Sequence, residues 1–179
     1  KTTWNAKQSV SPTDAKTYGL KDGGLVQLPL IIADATVSTA VTTTTLTLMS
    51  EYSIGSLAGK KILKFKFDAK RTITGNNSRI YVRLFNTVTS TESEVAISDT
   101  ANPGHTSWFI KRSIPLNELG GFITALPTTS RPLTDEISIN VSLSNITTSF
   151  SNDLKLRVYG LNISAASDMQ QYGGLIEIF

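Results

Sequence analysis

The stretch KILKFKFDA, residues 61–69, decides the fold class of this chain. Leu63, Phe65 and Phe67 stand at every second position, and charged side chains fill the positions between them. Successive side chains of an extended strand point to opposite faces, so this period of two predicts a half-buried β-strand. We therefore expect the two phenylalanines in the core and the lysines on an exposed face.

The same alternation recurs later in the chain, most clearly in residues 79–85, 108–114, 137–143 and 154–159. With the apolar runs near both chain ends, these segments predict about seven to nine short strands, which is typical of a two-sheet sandwich or a barrel. Gly75-Asn76-Asn77 is a turn signal, so residues 61–69 and 79–85 are expected to form a hairpin. A bulge is expected at Gly160, and Leu116–Leu119 is the one candidate helical turn.

Composition favours sheets over helices. Hydrophobic residues make up 40% of the 179 residues and charged residues only 17%, so Ser, Thr and Asn supply much of the polar surface. Threonine favours extended backbone, and serine and asparagine compete with helical hydrogen bonds. The length fits one core. We expect a polar, turn-rich arm or linker over residues 1–24 and one all-β domain over residues 25–179, with no membrane insertion.

Residues for catalysis or metal binding are sparse. The chain has no cysteine and a single histidine, His105, which stands beside a Pro-Gly turn signal. The carboxylates Glu92, Glu94 and Asp99 form one loop group and Asp135-Glu136 a second, without the spacing of a known site. No phosphate-binding glycine loop is present. The sequence predicts a non-enzymatic protein with no metal and no cofactor.

One cluster of basic residues has two interpretations. It comprises Lys60, Lys61, Lys64, Lys66, Lys70 and Arg71. An exposed basic stripe protects a sheet edge and promotes solubility. It also fits contact with an acidic polymer or an acidic protein. Because Phe65 and Phe67 are expected in the core, where they cannot stack on bases, nucleic acid is not the expected partner.

The order of segments resembles the jelly-roll domains of bacteriophage tail-fibre, head-fibre and capsid-decoration proteins. The likeness covers residues 36–164: a threonine-rich run (42–49), a turn (53–59) and alternating strands (61–67 and 79–85). The turn is similar to the "Ile-Pro-Ala-x-x-Leu-x-x-Gly" turn of those domains, but it lacks the proline and is shorter. The resemblance implies an antiparallel two-sheet sandwich of jelly-roll type.

The resemblance also implies a role in the virion. Such proteins project from capsid or tail, are usually homotrimers, and bind host glycans or other virion proteins. For contacts within an oligomer or with the particle, the apolar residues near the chain ends are our candidates: Trp4, Leu28, Leu30, Ile31, Ile32, Leu175, Ile176, Ile178 and Phe179.

Two other functions are compatible with the sequence. The first is a carbohydrate-binding or adhesin module of a bacterial surface protein, with glycans stacked on Tyr18, Tyr81 or Tyr159. The second is a self-assembling jelly-roll coat protein of a small virus.

Overall fold

The computed structural model describes residues 18–21, 24–73, 77–98, 100–101, 104, 106–116, 128–132, 137–139, 148–163 and 167–179. These residues form twelve strands: β1 (Tyr18–Lys21), β2 (Gly24–Gln27), β3 (Leu30–Asp34), β4 (Thr47–Gly55), β5 (Ile62–Lys70), β6 (Ser78–Asn86), β7 (Thr91–Ile97), β8 (Ser107–Pro115), β9 (Thr128–Pro132), β10 (Ile137–Ile139), β11 (Leu154–Asn162) and β12 (Gln170–Ile178). Within these ranges, no helix is long and apolar enough to cross a membrane.

The strands build two packed antiparallel sheets. One has the order β10-β9-β8-β5-β12-β3, and the other has the order β4-β11-β6-β7. Along the chain the path changes sheet from β3 to β4, to β5, to β6, and later from β7 to β8, from β10 to β11 and from β11 to β12. The last strand thereby lies beside the first strand of the sandwich. This double Greek key is the jelly roll, as expected.

The expected hairpin between residues 61–69 and 79–85 is wrong. The first segment is β5, which pairs with β8 and β12, and the second is β6, which pairs with β7 and β11. A turn signal between two alternating segments shows that the chain reverses direction. It does not show whether the second strand returns to the same sheet or crosses to the facing one.

Inward-facing residues of both sheets form the core. Leu63, Phe65 and Phe67 of β5 are buried as the alternation predicts, and Leu156 of β11 lies in the facing sheet. The ring of Phe67 stacks on Phe65 at 5.5 Å and on Tyr52 of β4 at 5.6 Å between centroids, which joins the two sheets. Aromatic pairs at this separation stabilise a core beyond the area that they bury.

The expected bulge at Gly160 is also wrong. β11 continues in unbroken register with β6 through Asn162, and Gly160 keeps its inward parity. A Cβ at this position would contact the side chains of Met169, Met49 and Val41. Glycine is therefore required for close packing here. The irregularities in the pairing of β11 with β4 lie earlier, between Leu154 and Lys155 and between Val158 and Tyr159.

The described chain begins with a separate two-stranded hairpin and ends within the six-stranded sheet. β1 and β2 form a hairpin that spans residue 24, the expected end of the arm. β3 follows Pro29 and forms one edge of the six-stranded sheet, where a residue without a backbone donor is tolerated. β12 lies between β5 and β3. The limits of arm and domain remain predictions.

Candidate functional site

An apolar surface lies along the β3 edge of the six-stranded sheet. Its members are between 38% and 57% exposed, and we call this set the edge patch: Leu28, Leu30, Ile31, Leu175 and Phe179. Ile31 is opposite Glu177 in the register, and Leu175 and Phe179 are two residues to either side of Glu177. The three apolar side chains therefore share the outer face of the sheet.

Three other candidate contact residues face inward. Ile176 and Ile178 are core residues with at most 1% exposure, and Ile32 is partly buried against the core. Alternation along each strand gives this result, because neighbours of outward residues must point into the sandwich. Trp4 lies outside the described residues. The edge patch thus contains five of the nine candidates, and its contacts with other chains remain a prediction.

The outer face of the six-stranded sheet carries lysines that lie over aromatic rings. The Lys64 Nζ is 4.8 Å from the ring centre of Phe179, and the Lys66 Nζ is 5.1 Å from that of Phe109. The rings come from β8 and from the residue after β12, so only the sheet places them beside β5. Cation–π contacts of this kind hold an ammonium group in place without neutralising its charge. We call this surface the basic face.

Arg71 does not belong to the basic face. Its side chain is 3% exposed, and the guanidinium donates to the Ser78 hydroxyl at 2.9 Å and to the Ala101 carbonyl at 3.3 Å. It also lies 5.3 Å from the ring centre of Trp108. Arg71 follows the end of β5 and keeps the inward parity of Phe67 and Ala69, so its side chain points away from the face that carries the lysines. The other five basic residues are exposed or partly exposed.

The outer face of the four-stranded sheet is different, because its charges pair with one another. Glu51 accepts hydrogen bonds from Lys155 at 2.5 Å and from Arg157 at 2.6 Å. Glu92 accepts hydrogen bonds from Arg157 at 2.7 Å and from Arg83 at 3.1 Å. Four strands contribute to this network, which we call the charged face. Ion pairs that form a network contribute more than isolated pairs.

The Tyr159 hydroxyl extends the network by donating a hydrogen bond to Glu92. Burial alone would raise the pKa of the Glu92 carboxyl, but hydrogen bonds from Tyr159, Arg157 and Arg83 bring it below its usual value of 4.5. The pKa of the neighbouring Glu94 is raised, mainly by burial, since Arg83 approaches it only to 4.0 Å.

The tyrosines proposed for glycan stacking are poorly placed for that role. The Tyr159 ring lies 5.2 Å beneath the Arg83 guanidinium, and its hydroxyl is bound to Glu92. Tyr81 is directly opposite Tyr159 in the register and is partly buried. Tyr18 belongs to β1, whose side chains the structure does not describe.

Buried polar groups join strands inside the sandwich. The Tyr52 hydroxyl donates to Asp34 at 2.9 Å and accepts from Gln171 at 2.6 Å. Burial, together with the nearby Asp34 carboxylate, raises the pKa of Tyr52 to about 12. This tyrosine therefore remains a neutral donor at physiological pH. It links β4 to β3 and β12 across the two sheets.

Arg112 is a buried residue that the sequence interpretation missed. It is 3% exposed and donates to the Val95 carbonyl, which the bulge in β7 removes from the ladder with β6. Its Nε and Nη2 have no hydrogen-bond partner among the described residues. Burial lowers the pKa of Arg112 to about 10. Arg112 has the same alternation parity as Trp108 and Ile110, and this parity indicates from the sequence that its side chain points into the core.

Other candidates for chemistry give no site in the described part of the chain. His105, Asp99 and Asp135-Glu136 lie outside it, as do residues 117–119 of the expected helical turn. No group of three or more metal-binding side chains occurs in the ranges given above. Asn162, which stands in an Asn-x-Ser sequon, is fully buried and donates to the carbonyls of Val41 and Thr43. Its amide is structural and inaccessible to a modifying enzyme.

Comparisons with known proteins identify no family. No model of a known protein family matches the chain, and no curated protein sequence does. Among solved structures, one of infectious bursal disease virus Gt strain matches 90% of this chain at 10% identity with a TM-score of 0.38. One of the Gx strain matches 90% at 12% identity with a TM-score of 0.35.

This chain spans 37% of the length of each of those two chains. At such TM-scores the likeness does not support the fold assignment. The assignment of the jelly roll rests on the order and connections of the strands alone.

Proposed function

We propose that this chain is a non-enzymatic structural protein of a virion, a jelly-roll module that associates with copies of itself through the edge patch. The observation that carries the proposal is the position of that patch. Ile31, Leu175 and Phe179 share the outer face of the sheet beside the β3 edge, and Leu28 and Leu30 are exposed at that edge. Jelly rolls are common in viral capsids and in lectins. Exposed apolar patches are typical of surfaces that bind other proteins.

The edge itself supports association. Among the strands of the described part of the chain, β3 pairs with β12 alone, so its other side presents backbone donors and acceptors that can pair with a second strand. β3 has none of the lysines that protect many natural edges, since its sequence is LIIAD. Apolar side chains and unpaired backbone groups at one edge fit a second copy of this chain or the edge of another virion subunit.

The more specific part of the proposal follows the resemblance to jelly-roll domains of bacteriophage fibre and decoration proteins. We propose a homotrimer at the virion surface, in a tail fibre, a head fibre or a capsid decoration, with residues 1–24 attaching the domain to the particle or to a preceding shaft. The edge patch would then lie between subunits, and the charged face would remain in solvent. In such a position the basic face would meet acidic groups of a neighbouring virion protein or of the host surface.

The test is the oligomeric state of the purified chain by sedimentation equilibrium. The wild-type chain should form a discrete oligomer, and Ile31→Lys or Leu175→Lys should raise its dissociation constant at least about tenfold, because each variant places a charge in a buried apolar contact. Val88→Lys is the matched control. Val88 is 70% exposed at the turn between β6 and β7, which belong to the four-stranded sheet, and its variant should assemble normally.

Two results would change the proposal. A wild-type chain that stays monomeric at micromolar concentration would overturn self-association through the edge patch. Closed particles in electron micrographs of the purified chain would replace the projecting module with a self-assembling coat protein.

A further inference from the structure

A groove lies at the end of the six-stranded sheet that is remote from Phe179. Three segments meet there: the end of β5, the start of β8 and the start of β12. The groove has a volume of about 320 Å³, and its lining includes Lys70, Thr72, Ser107, Asp168, Gln170 and Tyr172. This volume is at the lower end of the range for ligand pockets, so the groove suits a small ligand or one unit of a larger one.

One wall of the groove is fixed by a carboxylate. Asp168 accepts hydrogen bonds from the backbone amides of Thr72 and Ile73, both at 2.9 Å, and from the Thr72 hydroxyl. Burial would raise the pKa of Asp168, but these hydrogen bonds bring it below its usual value of 3.8. The carboxylate is therefore ionised and engaged with backbone. It holds the wall rigid and is unsuited to a metal ion.

An aromatic ring and a cation form the opposite side. β12 has an irregular register with β5 between Gln171 and Gly173, and this bulge takes Tyr172 out of the ladder and leaves it 43% exposed. Bulges commonly redirect one side chain in this way. The Lys70 Nζ lies 4.1 Å from the centre of the Tyr172 ring, which holds the ammonium group at the groove.

The remaining lining is polar and uncharged. Gln170 is anchored by donating from its side-chain nitrogen to the Ser38 carbonyl at 3.0 Å, so its amide oxygen is the group left to accept from a ligand. The hydroxyls of Thr106 and Ser107 lie at the start of β8. Arg71 also lines the groove, but it is buried and its guanidinium donates to Ser78 and Ala101, so Lys70 is the exposed cation of the described lining.

We propose that this groove binds an acidic monosaccharide unit, one whose ring carries a carboxylate. In the free protein Lys70 lies over one face of the Tyr172 ring. On binding, Lys70 would leave that face to pair with the sugar carboxylate, and the apolar face of the pyranose would pack on the ring in its place. The sugar hydroxyls would exchange hydrogen bonds with Ser107 and Gln170. A neutral sugar would leave Lys70 without a partner. An inorganic anion would make no use of the ring.

The groove and the edge patch are well separated. Tyr172 and Phe179 are seven residues apart, which is about 23 Å along an extended strand. A sugar could therefore bind while the edge patch is covered by another subunit. A role in attachment to host glycans rests on the proposed place at a virion surface, whereas binding at the groove does not.

The experiment is an NMR titration of the full chain with the methyl glycosides of N-acetylneuraminic acid, glucuronic acid and galactose. Both acidic sugars should give saturable shifts at Tyr172, Lys70 and Ser107, and the neutral galactoside should bind at least about tenfold more weakly. Tyr172→Ala and Lys70→Met should each lower the affinity for the acidic sugars about tenfold.

Lys64→Met is the matched control. Like Lys70, Lys64 is a lysine of β5 that lies over an aromatic ring, in this case the ring of Phe179, but it is nearer the other end of the strand. It should bind like the wild type. Absence of saturable binding, equal binding of galactoside, or equal losses for Lys64→Met and Lys70→Met would each overturn the proposal. If the chain is a monomer that binds the acidic sugars, self-association is wrong and the groove proposal stands. If the chain is an oligomer that does not bind the acidic sugars, the groove proposal is wrong and self-association stands.

Discussion

The two outer faces of the sandwich use their charged residues in opposite ways. On the charged face, Glu51 and Glu92 each accept two hydrogen bonds from basic side chains of β11 and β6. On the basic face, Lys64 and Lys66 lie over aromatic rings, and Lys66 also forms an ion pair with Asp68 at 2.9 Å. The first face holds its charges by a network of ion pairs, while the second holds Lys64 and Lys66 over aromatic rings.

This difference separates stability from recognition. A network of partly buried ion pairs resists disruption because each carboxylate has more than one partner. Lysines held over rings keep their full charge and attract an anion at little cost in ordering, since the ring already restricts the side chain. We therefore expect the charged face to contribute to folding and the basic face, with its edge patch and groove, to contribute to binding.

The largest expected effect concerns the core, and it tests whether close packing on the inner side of the six-stranded sheet stabilises the protein. A Cβ at Gly174 would lie 2.9 Å from a ring carbon of Phe67 and 3.0 Å from the Tyr52 hydroxyl oxygen. Gly174→Ala should lower the free energy of unfolding by about 3 kcal/mol, because the core must shift to admit the methyl group. Urea denaturation measures this. Gly173→Ala, whose Cβ would approach Asp34 only to 3.3 Å, should cost clearly less, and equal losses would contradict the packing argument.

The second prediction tests the charged face directly. Glu92→Ala removes the acceptor for Arg157, Arg83 and Tyr159, and should lower the free energy of unfolding by about 2 kcal/mol. Glu94→Ala on the same strand is the control, since its one ion pair is 4.0 Å long. If the two variants unfold at the same urea concentration, the network does not stabilise the sheet.

The third prediction concerns pH. The pKa of Glu92 in the folded protein lies below its usual value of 4.5, so its contribution to stability is present above pH 4.5 and is lost as the pH falls through the folded pKa. The pKa of Glu94 is raised, so ionised Glu94 costs stability near neutral pH. Thermal melts should show that Glu92→Gln reduces the loss of stability in acid and that Glu94→Gln slightly stabilises the protein at pH 7. The opposite signs would refute the assignment.

The smallest effect is expected on the basic face. Asp68→Ala removes an ion pair whose side chains are 40% and 35% exposed, and should change the free energy of unfolding by less than about 0.5 kcal/mol. Glu51→Ala on the charged face should cost more, because it leaves Lys155 and Arg157 without this acceptor. Urea denaturation of the two variants side by side compares the faces. Equal losses would remove the distinction between them.

Alternation predicted much of this arrangement. The inward positions of Phe65 and Phe67 and the outward lysines followed from parity alone. The same parity would have placed Arg112 inside, beside Ile110, but an arginine in a core was not considered. The expected place of Arg71 in the basic stripe is wrong, although its parity is that of the buried Phe67 and Ala69 and indicates the inward direction.

The sequence by itself determined that the chain is built of β-strands and which face of each long strand is apolar, because side-chain direction repeats every two residues and needs no partner strand. Only the tertiary structure decided which strands pair, which residues form the edge patch, and which rings lie beside the lysines of β5. Phe109, Tyr172 and Phe179 are 39 to 115 residues away from Lys64, Lys66 and Lys70 in the chain. Their contacts arise where the jelly roll brings β8 and β12 to either side of β5, and no local pattern encodes that meeting.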